Sequence, residues 1–328
     1  MVQFTRSGMK KALLATALVT AVGAAWAQPV KIAIATFGDH PQLNDSIAGF
    51  KKQLAAEGYV EGIDVTYQMS HTNFDLTLVP QMIAKLKADK PKLMFTITTP
   101  VTQVAKKALA GSGIPVIFAA VTDPVAAKLT PSWEAGDTGI TGASDLQDMG
   151  AVMNFAHKLV PGAKRFGMPY NPGEANDAAL LEKLKAAAPA QNFSIVAVGV
   201  DNANDIQQRV ASFKGKADVI YNPTSNLLQP ATAAVASAAR QAGIPLMNAD
   251  PEPVRKGIAV AAVAVSYERV GVNAGKIAVR VLKGADPKTI GPSKPTLEDH
   301  ETVVSRKALK AYNMKETPEI TACNCLVD

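Results

Sequence analysis

The stretch Gly113-Ile-Pro-Val-Ile-Phe-Ala-Ala-Val-Thr-Asp-Pro124 decides the fold, because the chain follows the same plan a second time at Gly243-Ile-Pro-Leu-Met-Asn-Ala-Asp-Pro251. Each copy follows a helix-like segment rich in small residues, and each runs from a turn through a short apolar run to Asp-Pro. A short apolar run between turn residues is typical of a buried strand. The sequence therefore predicts two α/β units with the same local plan.

Strand-like and helix-like segments alternate outward from this motif. Apolar strand patterns at 30–35, 65–69 and 93–97 are separated by helical spacing, with Asn44 expected as an N-cap and Gly58 just past a helix end. Strands and helices that alternate at this length predict parallel sheets covered by helices on both faces. The predicted fold class is α/β, with two Rossmann-like lobes of parallel sheet joined near residues 141–164.

Residues 1–27 have the pattern of a secretory signal peptide. Three basic residues precede a 14-residue apolar run at 12–25, and Ala25-Trp-Ala27 has the small-residue pattern of a cleavage site. A membrane anchor would need about 20 apolar residues. We therefore expect cleavage after Ala27 and export to the periplasm.

Charge and composition exclude several classes of function. The leader holds three of the 34 Lys and Arg and none of the 28 Asp and Glu, so the remaining chain carries 31 basic and 28 acidic residues, a net charge of +3. No basic run is longer than two residues there, and no nucleic-acid partner is expected. Cys323 and Cys325 could form a disulfide across a short, strained loop, but we expect a mobile tail.

The motifs of catalysis and cofactor binding are missing from the sequence. It contains neither phosphate-binding glycine loop, no G-x-S-x-G and no H-E-x-x-H, and its four histidines are far apart. Asp145 and Asp148 are expected to cap or charge the start of a helix. No nucleophile with a base is visible, and we expect a protein that is not an enzyme and uses neither a cofactor nor a metal, while missing motifs alone leave an enzyme open as an alternative.

Polar residues follow the predicted strands at the ends where parallel sheets bind ligands. The helix N-termini that follow them offer free N–H groups and a positive field suited to a carboxylate. Two facing units would form a cleft for a small zwitterion. The segments concerned are Phe37 to His40, Thr98 to Pro100, Thr122 to Pro124, Tyr170 to Pro172, Thr224 to Asn226 and Asn248 to Asp250.

At these segments the sequence resembles the ABC-transporter substrate-binding proteins of the tryptophan/tyrosine-binding type. The similarity runs over roughly residues 30 to 285 and is carried by combined motifs: Gly58-Tyr-Val-Glu-Gly62, Thr99-Pro100, Ile114 to Pro124, Tyr170 to Asn176 and Tyr267 to Gly271. The chain departs from the family pattern at Thr98, where the family usually has Gly, and at Ser225, where it usually has Asp.

The resemblance implies a type I periplasmic-binding fold whose lobes close about a hinge. It places residues 28–143 plus about 250–284 in one lobe and 144–249 plus about 285–328 in the other, with crossings near 141–145, 246–250 and 270–290. It further implies capture of an amino-acid-like ligand, aromatic in some members of the family, for delivery to an ABC permease in the inner membrane. The alternatives are an exported ligand-sensing module for a membrane signalling partner and an exported enzyme on a related fold.

Carried over to this sequence, the resemblance gives ten candidate ligand-binding residues. Thr99 and the amide after Pro100 would hold a carboxylate, although a helix cap alone would also explain Thr99. Asp123 or Asp250 would pair with an ammonium group, or form only a turn before proline. Phe37 and Tyr170 would flank the ligand side chain. The ten residues are Phe37, His40, Thr98, Thr99, Asp123, Tyr170, Asn171, Ser225, Asn226 and Asp250.

Overall fold

The computed structural model describes residues 1–3 and 28–328. The expected signal peptide, apart from residues 1–3, lies outside the described residues. Within them, no helix has the length and apolar character that a bilayer crossing requires.

Twelve strands and eleven α-helices alternate along residues 28–328. The strands are β1 (Val30–Thr36), β2 (Val65–His71), β3 (Leu93–Ile97), β4 (Val116–Ala119), β5 (Ile140–Gly142), β6 (Arg165–Tyr170), β7 (Ser194–Gly199), β8 (Val219–Asn222), β9 (Leu246–Asn248), β10 (Ala261–Val265), β11 (His300–Ser305) and β12 (Leu326–Val327). The helices are α1 (Pro41–Ala56), α2 (Val79–Ala88), α3 (Thr99–Leu109), α4 (Met149–Leu159), α5 (Ala175–Ala187), α6 (Ile206–Ala211), α7 (Thr232–Ala242), α8 (Pro251–Arg255), α9 (Tyr267–Leu282), α10 (Arg306–Ala311) and α11 (Pro318–Thr321).

The first five strands form one parallel sheet in the order β2-β1-β3-β4-β5. All five residues of β3 are buried, as expected for a central strand covered on both faces. The rings of Phe50 on α1 and Phe95 on β3 stack with centroids 3.9 Å apart, which fixes that helix on the sheet. We call this sheet and the helices packed on it the first lobe.

The remaining seven strands form a second sheet in the order β12-β11-β10-β9-β8-β6-β7. Its pairings are parallel except that β11 runs antiparallel to β10. We call this sheet and its helices the second lobe. The prediction of an α/β fold with two mostly parallel sheets is confirmed.

The expected mobile tail is instead packed on the second lobe. Cys323 and Cys325 form a disulfide, and the Cys325 side chain is buried against the core of that lobe. Strand β12 then pairs with β11, so its backbone groups have partners in the sheet. The prediction of a mobile tail was wrong, because the sequence alone does not show that the edge of the second sheet is available for this short segment to pair with.

Helix α9 directly follows β10 of the second sheet but packs on the first lobe. Gly49 of α1 faces the backbone of Glu268, and Gly271 of α9 faces the backbone of Ser46. A side chain at either glycine would overlap main-chain atoms of the other helix. The two helices therefore approach closely only because both positions lack a Cβ atom.

Three segments connect the lobes. The first follows β5 at residues 143–148, the second lies between β10 and α9 at residues 265–267, and the third runs from about 290 to 300. The first and third run side by side, since the Ser144 N–H donates to the Ser293 carbonyl over 2.8 Å and the Ser293 N–H donates to the Gly142 carbonyl over 2.8 Å.

Two of the three crossings lie elsewhere than expected, and the third crossing runs from about residue 290 to 300 rather than at 270–290. The sequence placed residues from about 250 onward in the first lobe, whereas β10 pairs with β9 and β11 in the second sheet. The second crossing accordingly lies near residue 266 rather than at 246–250.

Helix α1 begins three residues before the expected N-cap. Pro41 is the first helical residue and His40 is the cap residue, while the Asn44 side chain donates to Asp39 Oδ1 over 2.8 Å. Proline favours the first helical position because its fixed φ suits the helix and it has no N–H to leave unpaired. The other end of the helix was predicted correctly, since Gly58 follows it with φ +90°.

Candidate functional site

A cavity lies between the two lobes. The first lobe contributes residues that follow its strands, the second lobe contributes the segments after β6 and β8, and two residues come from the crossing segments. The lining residues are His40, Gln42, Leu43, Phe74, Thr98, Ala120, Thr122, Asp145, Asn176, Thr224, Ser225, Asn226, Gln229, Pro230 and Tyr267. We call this space the cleft.

The N-terminus of α3 forms one wall of the cleft. Thr98 caps the helix with φ +82° and ψ 154°, a conformation that glycine adopts readily and that costs a β-branched residue about 1–3 kcal/mol. The hydroxyls of Thr98 and Thr99 are buried and have no hydrogen-bond partner among the described residues. Buried hydroxyls usually have partners. The Thr98 hydroxyl lines the cleft at a helix N-terminus, where it is free to donate to an acceptor on a ligand.

Asp145 lies on the crossing segment after β5 and contributes a carboxylate to the cleft. Its side chain is buried, and Oδ2 accepts a hydrogen bond from the Tyr267 hydroxyl over 2.5 Å. Oδ1 has no hydrogen-bond partner of good geometry among the described residues. Burial raises the pKa of Asp145, while Tyr267 and Thr122 lower it by favouring the charged form.

Phe74 supplies the aromatic surface of the cleft. Residues Asn73 and Phe74 both have positive φ, and this turn places the Phe74 ring over Gly38. The ring also meets Phe37 edge to face, with centroids 5.5 Å apart. Phe74 faces both the cleft and an adjoining groove, which also has Phe37, Pro100, Val104, Leu129 and Leu227 in its lining.

Glu174 organises the second-lobe wall. Its carboxylate accepts hydrogen bonds from the side chains of Asn171, Asn176 and Asn226 and from the backbone N–H groups of Asn226 and Leu227. Five donors satisfy this carboxylate inside the protein. Asn171 and Asn226 thus hold their own loops, although Asn226 also lines the cleft.

Asp177 lies behind this wall and is buried. Its Oδ2 accepts from the Asn171 N–H over 2.6 Å, and its Oδ1 accepts from the Asn176 side chain over 2.9 Å. Burial and the neighbouring Glu174 carboxylate raise its pKa well above the usual range. The Asn176 Oδ1, which has no partner among the described residues, belongs to a side chain that lines the cleft.

Asp123 contacts the opposite lobe rather than the cleft. Its Oδ1 accepts from the N–H groups of Val125 and Ala126, as in a turn before proline, and its Oδ2 lies 3.2 Å from Lys183 Nζ on α5. The carboxylate is buried while the Lys183 side chain is 47% exposed. This ion pair joins the first lobe to the second.

Asp250 makes the second contact of this kind. Its Oδ1 caps α8 by accepting from the Glu252 N–H, and its Oδ2 lies 4.0 Å from His40 Nε2 in the first lobe. Burial raises the pKa of Asp250 to about 6 and lowers the pKa of His40. Both shifts favour the neutral forms, so this approach is weaker than an ion pair between full charges.

The structure brings four of the ten sequence-predicted site residues together on the cleft, and the other six lie elsewhere. His40, Thr98, Ser225 and Asn226 line it. Phe37 and Asn171 line the adjoining groove. Thr99, Asp123, Tyr170 and Asp250 lie close to these walls in sequence but do not line the cleft.

Sequence reasoning missed Phe74, Asp145, Asn176 and Tyr267. Asp145 was assigned to a helix start, a role that Asp148 alone performs by accepting from the Ala151 N–H. The available signal was the position of Asp145 three residues after β5, in the loop following a strand of a parallel sheet. Phe74 gave no signal, because its orientation depends on two successive left-handed residues.

Comparison with known proteins identifies the family. A family model described as ABC transporter substrate binding protein matches residues 31–323. The chain belongs to this family. ABC transporter substrate-binding proteins bind small ligands and work with ABC transporter permeases.

Two relatives show which branch of these substrate-binding proteins the chain resembles. A tyrosine-binding protein from Clostridioides difficile (strain R20291) is 32% identical over 286 residues, covering 87% of this chain and 81% of the relative. The crystal structure of an ABC domain in complex with L-Trp from Streptococcus pneumonia is 26% identical, with a TM-score of 0.84 over 92% of this chain and 100% of that one. The fold is that of the type I periplasmic binding proteins.

A third relative has a structure that was solved without ligand in an open state. The ligand-free, open structure of a substrate-binding protein with adhesive properties from Clostridium difficile is 30% identical over 91% of this chain and 98% of that one, with a TM-score of 0.70. The score is higher for the Trp complex, at 0.84 with similar coverage. Within the present structure, the Asp123–Lys183 ion pair joins the two lobes.

Proposed function

We propose that the protein is a binding receptor that captures an L-amino acid in the cleft and delivers it to an ABC importer. The observation that carries the proposal is the N-terminus of α3, where the buried hydroxyl of Thr98 faces the cleft without a partner. A ligand carboxylate would accept from this hydroxyl and from the free N–H groups of the first helical turn. The hydroxyl of Thr99, in the same turn, is also buried and without a partner among the described residues, but Thr99 does not line the cleft.

The remaining walls fit the rest of an amino acid. The Phe74 ring and the adjoining apolar groove offer a surface for an apolar or aromatic side chain. Ser225, Asn226 and the free Asn176 oxygen offer polar contacts from the second lobe. The tyrosine-binding relative and the Trp complex support an aromatic amino acid as the ligand.

The proposal includes the route by which the protein works. Residues 1–27 direct export to the periplasm, with cleavage after Ala27, and the two lobes close on the ligand by rotation about the three crossing segments. The ligand is bound and released without chemical change. An ABC permease in the inner membrane then receives it.

Thermal unfolding in the presence of each of the twenty L-amino acids tests this proposal. A ligand at about 100 times its dissociation constant stabilises a protein by roughly 2.7 kcal/mol, which raises the melting temperature by several degrees. We expect such a rise with L-tyrosine or L-tryptophan, and no rise with glucose or myo-inositol. Stabilisation by a sugar and by no amino acid would contradict the proposal. Recovery of the unmodified amino acid after incubation tests the absence of turnover.

A further inference from the structure

Asp145 and Tyr267 meet where two of the three connections between the lobes begin or end. Asp145 lies in the first crossing segment, three residues after β5, and Tyr267 is the first residue of α9, directly after the second crossing. Ser144 fixes the local loop, since its hydroxyl donates to the Thr122 carbonyl over 2.8 Å and accepts from the Leu146 N–H over 2.9 Å. The Asp145 carboxylate therefore lies on a loop that is held by hydrogen bonds, in the segment that joins the two lobes.

The Asp145 carboxylate has one hydrogen-bond partner of good geometry among the described residues, and Thr122 is a second, weaker neighbour that lowers its pKa. One oxygen accepts from Tyr267, and the other is buried on a side chain that is 2% exposed and that lines the cleft. Within residues 28–328, none of the ion pairs between side chains includes Asp145. A buried carboxylate without a counter-charge is costly to the protein, and its raised pKa reflects that cost.

The other acids around the cleft already have partners. Lys183 pairs with Asp123, five donors satisfy Glu174, and two amide donors hold Asp177. Asp250 caps α8 and faces His40. Asp145 thus combines a free oxygen, burial and a place on the cleft wall.

We propose that Asp145, positioned by Tyr267, binds the ammonium group of the ligand, so that the charge of the ligand is recognised on the segment that joins the lobes. The inference rests on the proposed function, because it assumes that the carboxylate of the same ligand binds at α3. It assigns the ligand to the α-amino acids with a free amino group, as opposed to carboxylic acids or N-acylated amino acids. It also explains how the cleft tolerates Ser225, where the family usually has an acid.

The test compares one zwitterion with its deaminated form. Isothermal titration uses L-tryptophan and indole-3-propionate, which share the ring and the carboxylate and differ in the amino group. We expect the wild type to prefer L-tryptophan. We expect Asp145→Asn to bind L-tryptophan at least about 30-fold more weakly and indole-3-propionate within about threefold of the wild type, because loss of one partner of a buried charge pair affects only the charged ligand.

Asp250→Asn is the matched control, since it also removes a buried carboxylate between the lobes and retains an oxygen that can cap α8. Its preference for L-tryptophan should stay within about threefold of the wild type. If Asp145→Asn retains the wild-type preference, or if Asp250→Asn loses it instead, the inference is overturned while the proposed function stands. If the wild type binds neither L-tryptophan nor L-tyrosine, both fail.

Two further measurements guard against a purely structural effect. An Asp145→Asn protein without ligand should melt no lower than the wild type, because an unpaired buried charge has been removed. Tyr267→Phe, which keeps the ring and removes the hydroxyl donor, should reduce the preference for L-tryptophan over indole-3-propionate by about three- to tenfold. An unchanged preference in Tyr267→Phe would remove Tyr267 from the proposal. If Asp145→Asn does not fold, Tyr267→Phe becomes the deciding variant, and an unchanged preference in it would overturn the proposal itself.

Discussion

Replacing Thr98 with valine should stabilise the free protein and weaken ligand binding, two effects of opposite sign. Valine matches threonine in shape and is equally β-branched, so the strain at φ +82° stays the same. The hydroxyl that it removes is buried, with the residue only 4% exposed, and has no partner among the described residues. A side chain placed only for packing would not give this combination.

The magnitudes follow from the two states of the hydroxyl. Leaving a buried polar group unsatisfied costs about 1–3 kcal/mol, and water entering an open cleft relieves part of that cost. We therefore expect the free energy of unfolding of the ligand-free variant to rise by about 1 kcal/mol. A hydrogen bond to a charged group contributes about 1.5–3 kcal/mol, so the affinity for L-tyrosine or L-tryptophan should fall about 10- to 150-fold.

Thr130→Val is the matched control for this variant. The Thr130 hydroxyl is also buried without a partner among the described residues, but the residue does not line the cleft. Chemical unfolding should show a similar gain in stability for both variants, and titration calorimetry should show a loss of affinity for Thr98→Val alone. Unchanged affinity in Thr98→Val, or an equal loss in Thr130→Val, would refute a ligand carboxylate at α3.

Three further predictions concern the lobes. Gly271→Ala should lower the free energy of unfolding by about 2–3 kcal/mol in chemical denaturation, because the added methyl overlaps the backbone of Ser46; a change below 0.5 kcal/mol would contradict the close helix contact. Lys183→Met should weaken ligand binding by at most about fivefold in titration calorimetry, because the Lys183–Asp123 ion pair joins the lobes but the lysine is half exposed. Tighter binding by the variant would contradict the idea that this ion pair favours closure of the lobes. Asp250→Asn should raise the free energy of unfolding by up to about 3 kcal/mol at pH 7–8, and this gain should shrink as pH falls from about 6 to 4. The reason is that the pKa of Asp250 is raised to about 6, so the wild-type carboxylate destabilises the fold once it ionises. A difference between variant and wild type that is the same at pH 4, 6 and 8 in chemical unfolding would contradict this.

The sequence was sufficient where an apolar run ends at polar residues. Strand β3 occupies the predicted residues Leu93 to Ile97, and both copies of the repeated motif form strands, β4 and β9. Hydrophobic runs report burial directly, because a strand that is covered on both faces can contain few polar side chains. The predicted fold class followed from these runs alone.

Lobe membership could not be derived in the same way. The segment around β10 pairs with the second sheet, whereas α9 immediately after it packs on the first lobe through Gly49 and Gly271. Local patterns describe each element but not the sheet with which it pairs. The sequence placed both elements in one lobe for that reason.

The candidate site was predicted by position more successfully than by role. Asp123 and Asp250 do follow strands, but their carboxylates form local turns or caps and contact the opposite lobe. Which side chain turns into the cleft depends on a few backbone angles. Asp145 could be recognised as a candidate site residue only from the structure, which places the first crossing segment beside Tyr267.

The mass spectrum of whatever ligand co-purifies with the protein, released by denaturation, tests the central claim most directly. Material isolated from the periplasm with its cleft occupied should release a compound with the mass of an L-amino acid, tyrosine or tryptophan in the first place. The same compound should restore the melting temperature when it is added back to the stripped protein. Release of a sugar, or of a carboxylic acid without an amino group, with that compound alone restoring stability, would contradict the account.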